Sequence, residues 1–193
     1  MTMKKDCLTP GAVWITGLSA SGKSTAGEHL YDKLVCAGIT NAEILDGEQL
    51  RRHLDREYGF TTEERFAVAE NIVRVALEKI RAGKFVIVST ITPKRAMRQM
   101  AREKIGRFME VYLKCPVEVC AARDYKGNYK KALAGECDNF IGVTEPYEES
   151  EHPEMVLHTD HEGIEQCAQE LFEKVMVEFA GDVCQACVKE EGA

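Results

Sequence analysis

The sequence predicts an α/β protein of three layers, a five-stranded parallel sheet with helices on both faces. Two observations carry this. Short apolar runs rich in β-formers alternate along the chain with segments of helical periodicity. Strands separated by helices pair in parallel, because the crossover helix covers the sheet face as the chain returns. The length of 193 residues, 45% apolar and 30% charged, suits one such domain. It is expected over residues 11–180, with an extension at 1–10 and a tail at 181–193.

Residues 11–17, GAVWITG, form an apolar run that ends in glycine and read as a buried strand. Helical spacing follows to about Ala37, with Leu30 and Leu34 on one side and Gly38 as the stop. Residues 42–46 are a second strand ending in Asp46. Helical segments at 47–57 and 61–82 come next, with Thr61 or Thr62 as N-cap and Gly83 past the end. The third strand is KFVIVSTI, 84–91. Pro93 opens a basic helix to Lys104. A strand at 108–114 leads into a helix at 116–123. Residues 124–153 are polar and read as an excursion over the surface. A last strand at 155–159 precedes an amphipathic helix at 161–179, with Ile164, Cys167, Ala168, Leu171, Val175 and Phe179 on one face.

A net charge of −7 argues against non-specific binding of nucleic acid or anionic membrane, but leaves room for a small anionic ligand in a local basic cleft. No apolar signal core and no run of about 18 apolar residues is seen, so a cytoplasmic location is expected. The eight cysteines are scattered and are expected to stay reduced. The tight pair Cys184–Cys187 supplies only half the ligands of a structural zinc site, and reads as two ordinary thiols.

Ligands of parallel sheets bind beyond the carboxyl ends of the strands. After the first strand stands Gly17-Leu-Ser-Ala-Ser-Gly22-Lys23-Ser24, which fits G-x-x-x-x-G-K-[ST] with a strand before and a helix after. Glycines let the backbone turn its amides towards phosphate oxygens, and the helix adds its positive end. Lys23 would reach the β- and γ-phosphates, and Ser24 would offer a hydroxyl to Mg²⁺. The pattern specifies a nucleoside triphosphate but does not choose among ATPase, GTPase and kinase. No N-K-x-D base-reading motif is present, and a motor or transporter would be larger. A kinase also needs an acceptor pocket and a lid. Asp46, Glu48 and Arg51 are candidates for the first. Arg123, Lys126 and Lys131, in a basic glycine-containing stretch, are candidates for a lid over about 124–150.

The chain resembles the adenylylsulfate (APS) kinases. That family joins a GLSxSGKST loop to LDGD-x-x-R, GF-S-x-x-DR-x-EN, ISP-x-R, RDPKGLYKKA-x-AGE, F-T-G and YE-x-P. The matching stretches here are GLSASGKST, LDGEQLR, YGFTTEER followed by AEN, TITPKR, RDYKGNYKKALAGE, NFIG and PYEESEHPE. The resemblance implies a P-loop kinase fold with a lid, ATP and Mg²⁺, a small nucleotide acceptor and a homodimer. The implied reaction moves the γ-phosphoryl of ATP to the 3′-hydroxyl of adenosine 5′-phosphosulfate. Gly17, Ser19, Ala20, Ser21, Gly22, Lys23, Ser24 and Thr25, with Arg123 and Lys126, would bind ATP. Lys23, Asp46 and Glu48 would be catalytic, and Ser24 and Asp46 would hold the metal. Phe60 and Phe140 would sandwich the acceptor base. Arg51 and Arg65 would hold its anionic end with help from Asn71, and Ile91, Thr92 and Lys131 would complete the pocket.

Departures fall on the acceptor side. Glu48 replaces an aspartate, Tyr125 a proline, Asn128 a leucine, Leu133 an arginine and Ile141 a threonine. Thr92 replaces a serine but keeps its hydroxyl. Phe66-Ala-Val-Ala69 stands where the family has one residue, so Asn71 is expected either on a local bulge or off its ligand. Such changes would also suit 3′-phosphorylation of another 5′-modified nucleotide, such as cytidine diphosphoramidate.

Overall fold

The computed structural model describes residues 7–54, 57–124 and 126–180. Tyr125 and the Cys184–Cys187 pair lie outside the described residues. The elements run β1 (Gly11–Gly17), α1 (Lys23–Cys36), β2 (Ala42–Asp46), α2 (Gly47–Arg52), α3 (Thr62–Arg81), β3 (Phe85–Ser89), α4 (Arg95–Ile105), β4 (Phe108–Lys114), α5 (Val117–Arg123), α6 (Asn128–Leu133), β5 (Met155–His158) and α7 (Ile164–Phe179). All strand pairs are parallel, in the order β2-β3-β1-β4-β5.

Every residue of the central strand β1 is buried, as expected of a strand covered on both faces. Its side chains alternate between two cores. Val13 and Ile15 face Leu30 and Leu34 of α1 and Leu171, Val175 and Phe179 of α7. Ala12 and Trp14 face Ile72, Val73 and Ala76 of α3 and Ala101 and Ile105 of α4. Buried Leu8 forms an antiparallel bridge with Ala180, and the Asn41 side chain bonds both main-chain groups of Leu8. Thr61 caps α3 in a capping box with Glu64.

Three expectations are corrected. The second helix ends at Arg52, not near 57. Arg51, in its last turn, donates to the carbonyls of Tyr58 and Gly59. Residues 90–94 leave both strand and helix, and α4 starts at Arg95. The excursion over 124–153 is not merely superficial. It contains α6, whose Tyr129 is buried with Leu18, Cys115, Cys120 and Ile141 in a third core. The Tyr129 hydroxyl donates to the Ser19 carbonyl at 2.9 Å, so the lid is anchored on the phosphate loop. No helix among the described residues is long and apolar enough to cross a membrane.

Candidate active site

A cavity of about 970 Å³ opens at the carboxyl ends of the strands. Its floor is the loop from β1 to α1. Gly17 has φ +148°, and a Cβ there would stand 2.6 Å from the Leu113 carbonyl oxygen. The loop therefore requires glycine for both space and conformation. Gly22 N-caps α1 in the left-handed region, so the positive helix end faces the cavity. The Lys23 ammonium lies inside the loop and donates to the Leu18 carbonyl at 2.5 Å. Burial lowers its pKa to about 8, against the opposing fields of Cys120, Asp46 and Glu48.

Asp46 ends β2 and caps α2. Its Oδ1 accepts the amides of Glu48 (2.9 Å) and Gln49 (3.0 Å), while its Oδ2 accepts the Ser24 hydroxyl at 2.7 Å. A hydroxyl and a carboxylate together beside a phosphate cradle are the hard oxygen ligands that Mg²⁺ takes. Gly47 keeps this corner tight, since a Cβ would lie 2.8 Å from Thr90 Cβ. Glu48 is held by Lys126, at 2.6 and 2.8 Å, and by Arg52 at 2.6 Å. The Lys126 ammonium, foremost, lowers the Glu48 pKa. This bridge joins the lid to α2 across the cavity mouth.

The far end of the cavity is built around Phe60, which is 54% exposed. The guanidinium carbons of Arg51 and Arg65 stand 4.3 and 5.2 Å from its ring centre. Arg65 donates to the carbonyls of Phe60 and Asn139. Burial lowers the pKa of both arginines. Phe140 enters from the lid, its ring edge-on to Tyr129 at 4.8 Å. Ile91 and Thr92 also line the cavity.

Some residues are placed otherwise than the sequence suggested. Thr92, at φ +35°, turns its hydroxyl inward to accept from Trp14 Nε1 at 3.1 Å. Its hydroxyl is thus turned from the cavity, and its carbonyl accepts from Arg98 at 2.7 Å. Lys131 is exposed, because the buried face of α6 is Tyr129 and Ala132. Arg123 donates to the Thr159 carbonyl at 2.6 Å and lines the end of the cavity next to the phosphate loop.

Asn71 does not line the cavity; its amide donates to the Ala67 carbonyl at 2.9 Å and to the Tyr58 hydroxyl at 3.4 Å. Helix α3 runs unbroken from Thr62 to Arg81, with neither bulge nor insertion. Counted from Arg65 with the spacing DR-x-EN, the asparagine position is Val68. It is Val68, Ala69 and Ile72 that line the cavity. The letters Glu70-Asn71 match the motif three residues late, which sets Asn71 about 60° round the helix and about 4.5 Å along it from Val68. Asn71→Ala is expected to change neither substrate's KM by more than about twofold, as for a substitution outside the site. Steady-state kinetics with each substrate varied in turn checks this.

Val68, Ala69, Ile72 and Met97 were missed because they read as core periodicity. Thr159 was missed too, although its hydroxyl donates to the Ser21 carbonyl at 2.9 Å and fixes the phosphate loop. No spacing rule announces it.

The profile of the family described as adenylylsulphate kinase matches residues 9–158. The adenylyl-sulfate kinase of Synechococcus sp. (strain JA-3-3Ab) is 43% identical over 155 residues, 80% of this chain and 88% of that protein. That of Halothermothrix orenii is 44% identical over 164 residues, 83% of this chain and 86% of the relative. Among solved structures, the Mycobacterium tuberculosis APS kinase CysC in complex with AMPPNP and APS superposes with a TM-score of 0.81 at 34% identity, covering 86% of this chain and 98% of that one. With the phosphate cradle, the paired arginines and the anchored lid all in place, the chain belongs to the adenylylsulfate kinase family.

Proposed function

We propose that this protein transfers the γ-phosphoryl of ATP to the 3′-hydroxyl of adenosine 5′-phosphosulfate, giving ADP and 3′-phosphoadenosine 5′-phosphosulfate. The observation that carries it is one cavity with a phosphate cradle at one end and Phe60 between two arginines at the other. The loop amides and Lys23 hold the β- and γ-phosphates of ATP. Ser24 and Asp46 would hold Mg²⁺, which would neutralise charge on those oxygens. Arg123, held by the Thr159 carbonyl, lines the ATP end of the cavity as a cation towards the triphosphate. Phe60 and Phe140 stack on the acceptor base, and Arg51 and Arg65 face its anionic 5′ end. Glu48, kept ionised by Lys126 and Arg52, accepts a hydrogen bond from the 3′-hydroxyl and aims it. Transfer is direct and in line: the O–P bond to the acceptor forms as the bond to the β-phosphate oxygen breaks, and the hydroxyl proton is released. Catalysis of this kind is mainly positioning and charge. Phosphorus NMR of the product tests the site of transfer. A new resonance coupled to the ribose 3′ proton is expected, and coupling to any other proton contradicts the assignment.

One observation favours a second reading, 3′-phosphorylation of another 5′-modified nucleotide such as cytidine diphosphoramidate. Val68 stands where the family spacing has asparagine, so the wall beside Arg65 is apolar. We propose a homodimer as the assembly, with a light-scattering mass near twice 21.6 kDa.

Stacking on a base is worth about 1–3 kcal/mol. Phe140→Ala is therefore expected to raise the acceptor KM about 5- to 150-fold and that of ATP much less. Equal rises for both substrates contradict the stacking role.

The lowered pKa of Lys23 gives a pH dependence. In the enzyme without ATP the ammonium loses its proton as pH passes about 8, and the neutral amine no longer attracts phosphate. kcat/KM for ATP is expected to fall above that pH, while kcat, set by the complex in which phosphate restores the charge, stays level. A kcat/KM that is flat to pH 9.5, about one and a half units higher, contradicts it.

A further inference from the structure

His158, Asp160 and His161 form the turn from β5 into α7, outside the chemistry described above. One ligand atom from each, two imidazole nitrogens and a carboxylate oxygen, all lie within 4.8 Å of one another. The two imidazole rings are 5.3 Å apart, and Asp160 Oδ1 is 3.1 Å from His161 Nδ1. The turn is braced from within. The Glu162 amide donates to the His158 carbonyl at 2.9 Å, and the His158 amide donates to the Glu162 carboxylate at 2.8 Å. The cation opposite His158 across the β4–β5 pair, Lys114, is drawn to Glu149 at 3.1 Å. His158 and Asp160 also line a second groove of about 630 Å³, which gives an ion access from solvent.

We propose that this turn binds a borderline divalent transition metal of the Zn²⁺, Co²⁺ or Ni²⁺ class through His158, Asp160 and His161. Two imidazoles and a carboxylate suit such ions and not Mg²⁺, which takes oxygen. Ligand bonds of about 2.0–2.2 Å put tetrahedral donors about 3.4 Å apart, so the three side chains need close only slightly, and water completes the shell. The site is tied to the phosphate loop by the residue between its ligands. The Thr159 hydroxyl donates to the Ser21 carbonyl, and its carbonyl receives Arg123. Occupancy therefore stiffens the wall of the ATP end of the cavity.

The test uses Co²⁺ on the full chain carrying Cys184→Ser and Cys187→Ser, so that tail thiols take up no metal. Expected are saturation at one Co²⁺ per chain, visible d–d bands without thiolate charge transfer, displacement by Zn²⁺, and no displacement by millimolar Mg²⁺. His158→Ala and His161→Ala should each abolish the bands. Zn²⁺ should raise the melting temperature of the parent by several degrees and leave both variants unmoved, while circular dichroism of the metal-free variants should match that of the parent. Bands that survive both histidine variants, displacement by Mg²⁺, or no saturable uptake each overturn the proposal.

Discussion

Replacing Lys23 by alanine is expected to lower kcat/KM for ATP at least about a hundredfold while the protein folds normally. Loss of one preorganised charge or donor aimed at the transition state costs about 10²–10³ in rate. Lys23 is the cation the phosphate loop itself encloses, and its hydrogen bond in this state goes to a loop carbonyl. That bond leaves the ammonium ready to exchange the Leu18 carbonyl for phosphate oxygen. Removing it also removes a desolvated charge, so the melting temperature should not fall. Retention of more than about a tenth of kcat/KM, far above the loss expected of such a donor, contradicts the role.

Arg98→Met is expected to cost about 3 kcal/mol of stability, the low end for breaking a buried ion pair. Arg98 is 2% exposed. Its Nε meets Glu110 Oε1 at 3.0 Å, and its two terminal nitrogens donate to the carbonyls of Thr92 (2.7 Å) and Glu148 (2.6 Å). The substitution leaves Glu110 with Arg102 at 3.5 Å and the Ser150 hydroxyl, which keeps the loss from being larger. At about 2–4 °C per kcal/mol for a chain of this size, the melting temperature falls roughly 6–12 °C. Thr92 lines the cavity in a left-handed conformation that strains a non-glycine residue. Loosening it should raise the acceptor KM more than that of ATP, and Arg98→Lys should restore part of both. Calorimetry with kinetics on the two variants checks this. A melting temperature within about 2 °C of the parent, under 1 kcal/mol, contradicts the clamp.

The parallel five-stranded sheet and the phosphate loop were legible because each depends on local features: strands alternating with helices, glycines at fixed offsets, a strand before and a helix after. Asp46 was legible for the same reason, since it ends a strand and caps a helix. The acceptor wall was less so. Glu70-Asn71 reproduces a motif in letters, but which residues of a helix face a cavity is decided by how α3 packs on the sheet, and that packing turns Val68 inward. Tyr129 reads as part of a polar basic stretch, yet it is the anchor of the lid. Its partner Ser19 is 110 positions away in sequence, a pairing that no local pattern encodes. The Glu48–Lys126 bridge, 78 positions apart, was hidden likewise.

The central claim, that the acceptor is adenylylsulfate, is tested most directly by ADP release from Mg·ATP with adenylylsulfate or cytidine diphosphate derivatives as acceptor. Rapid ADP formation that requires adenylylsulfate, with a micromolar KM, is the result expected. No turnover with adenylylsulfate but turnover with a cytidine derivative would contradict the claim, and would assign the apolar wall at Val68 to a different acceptor.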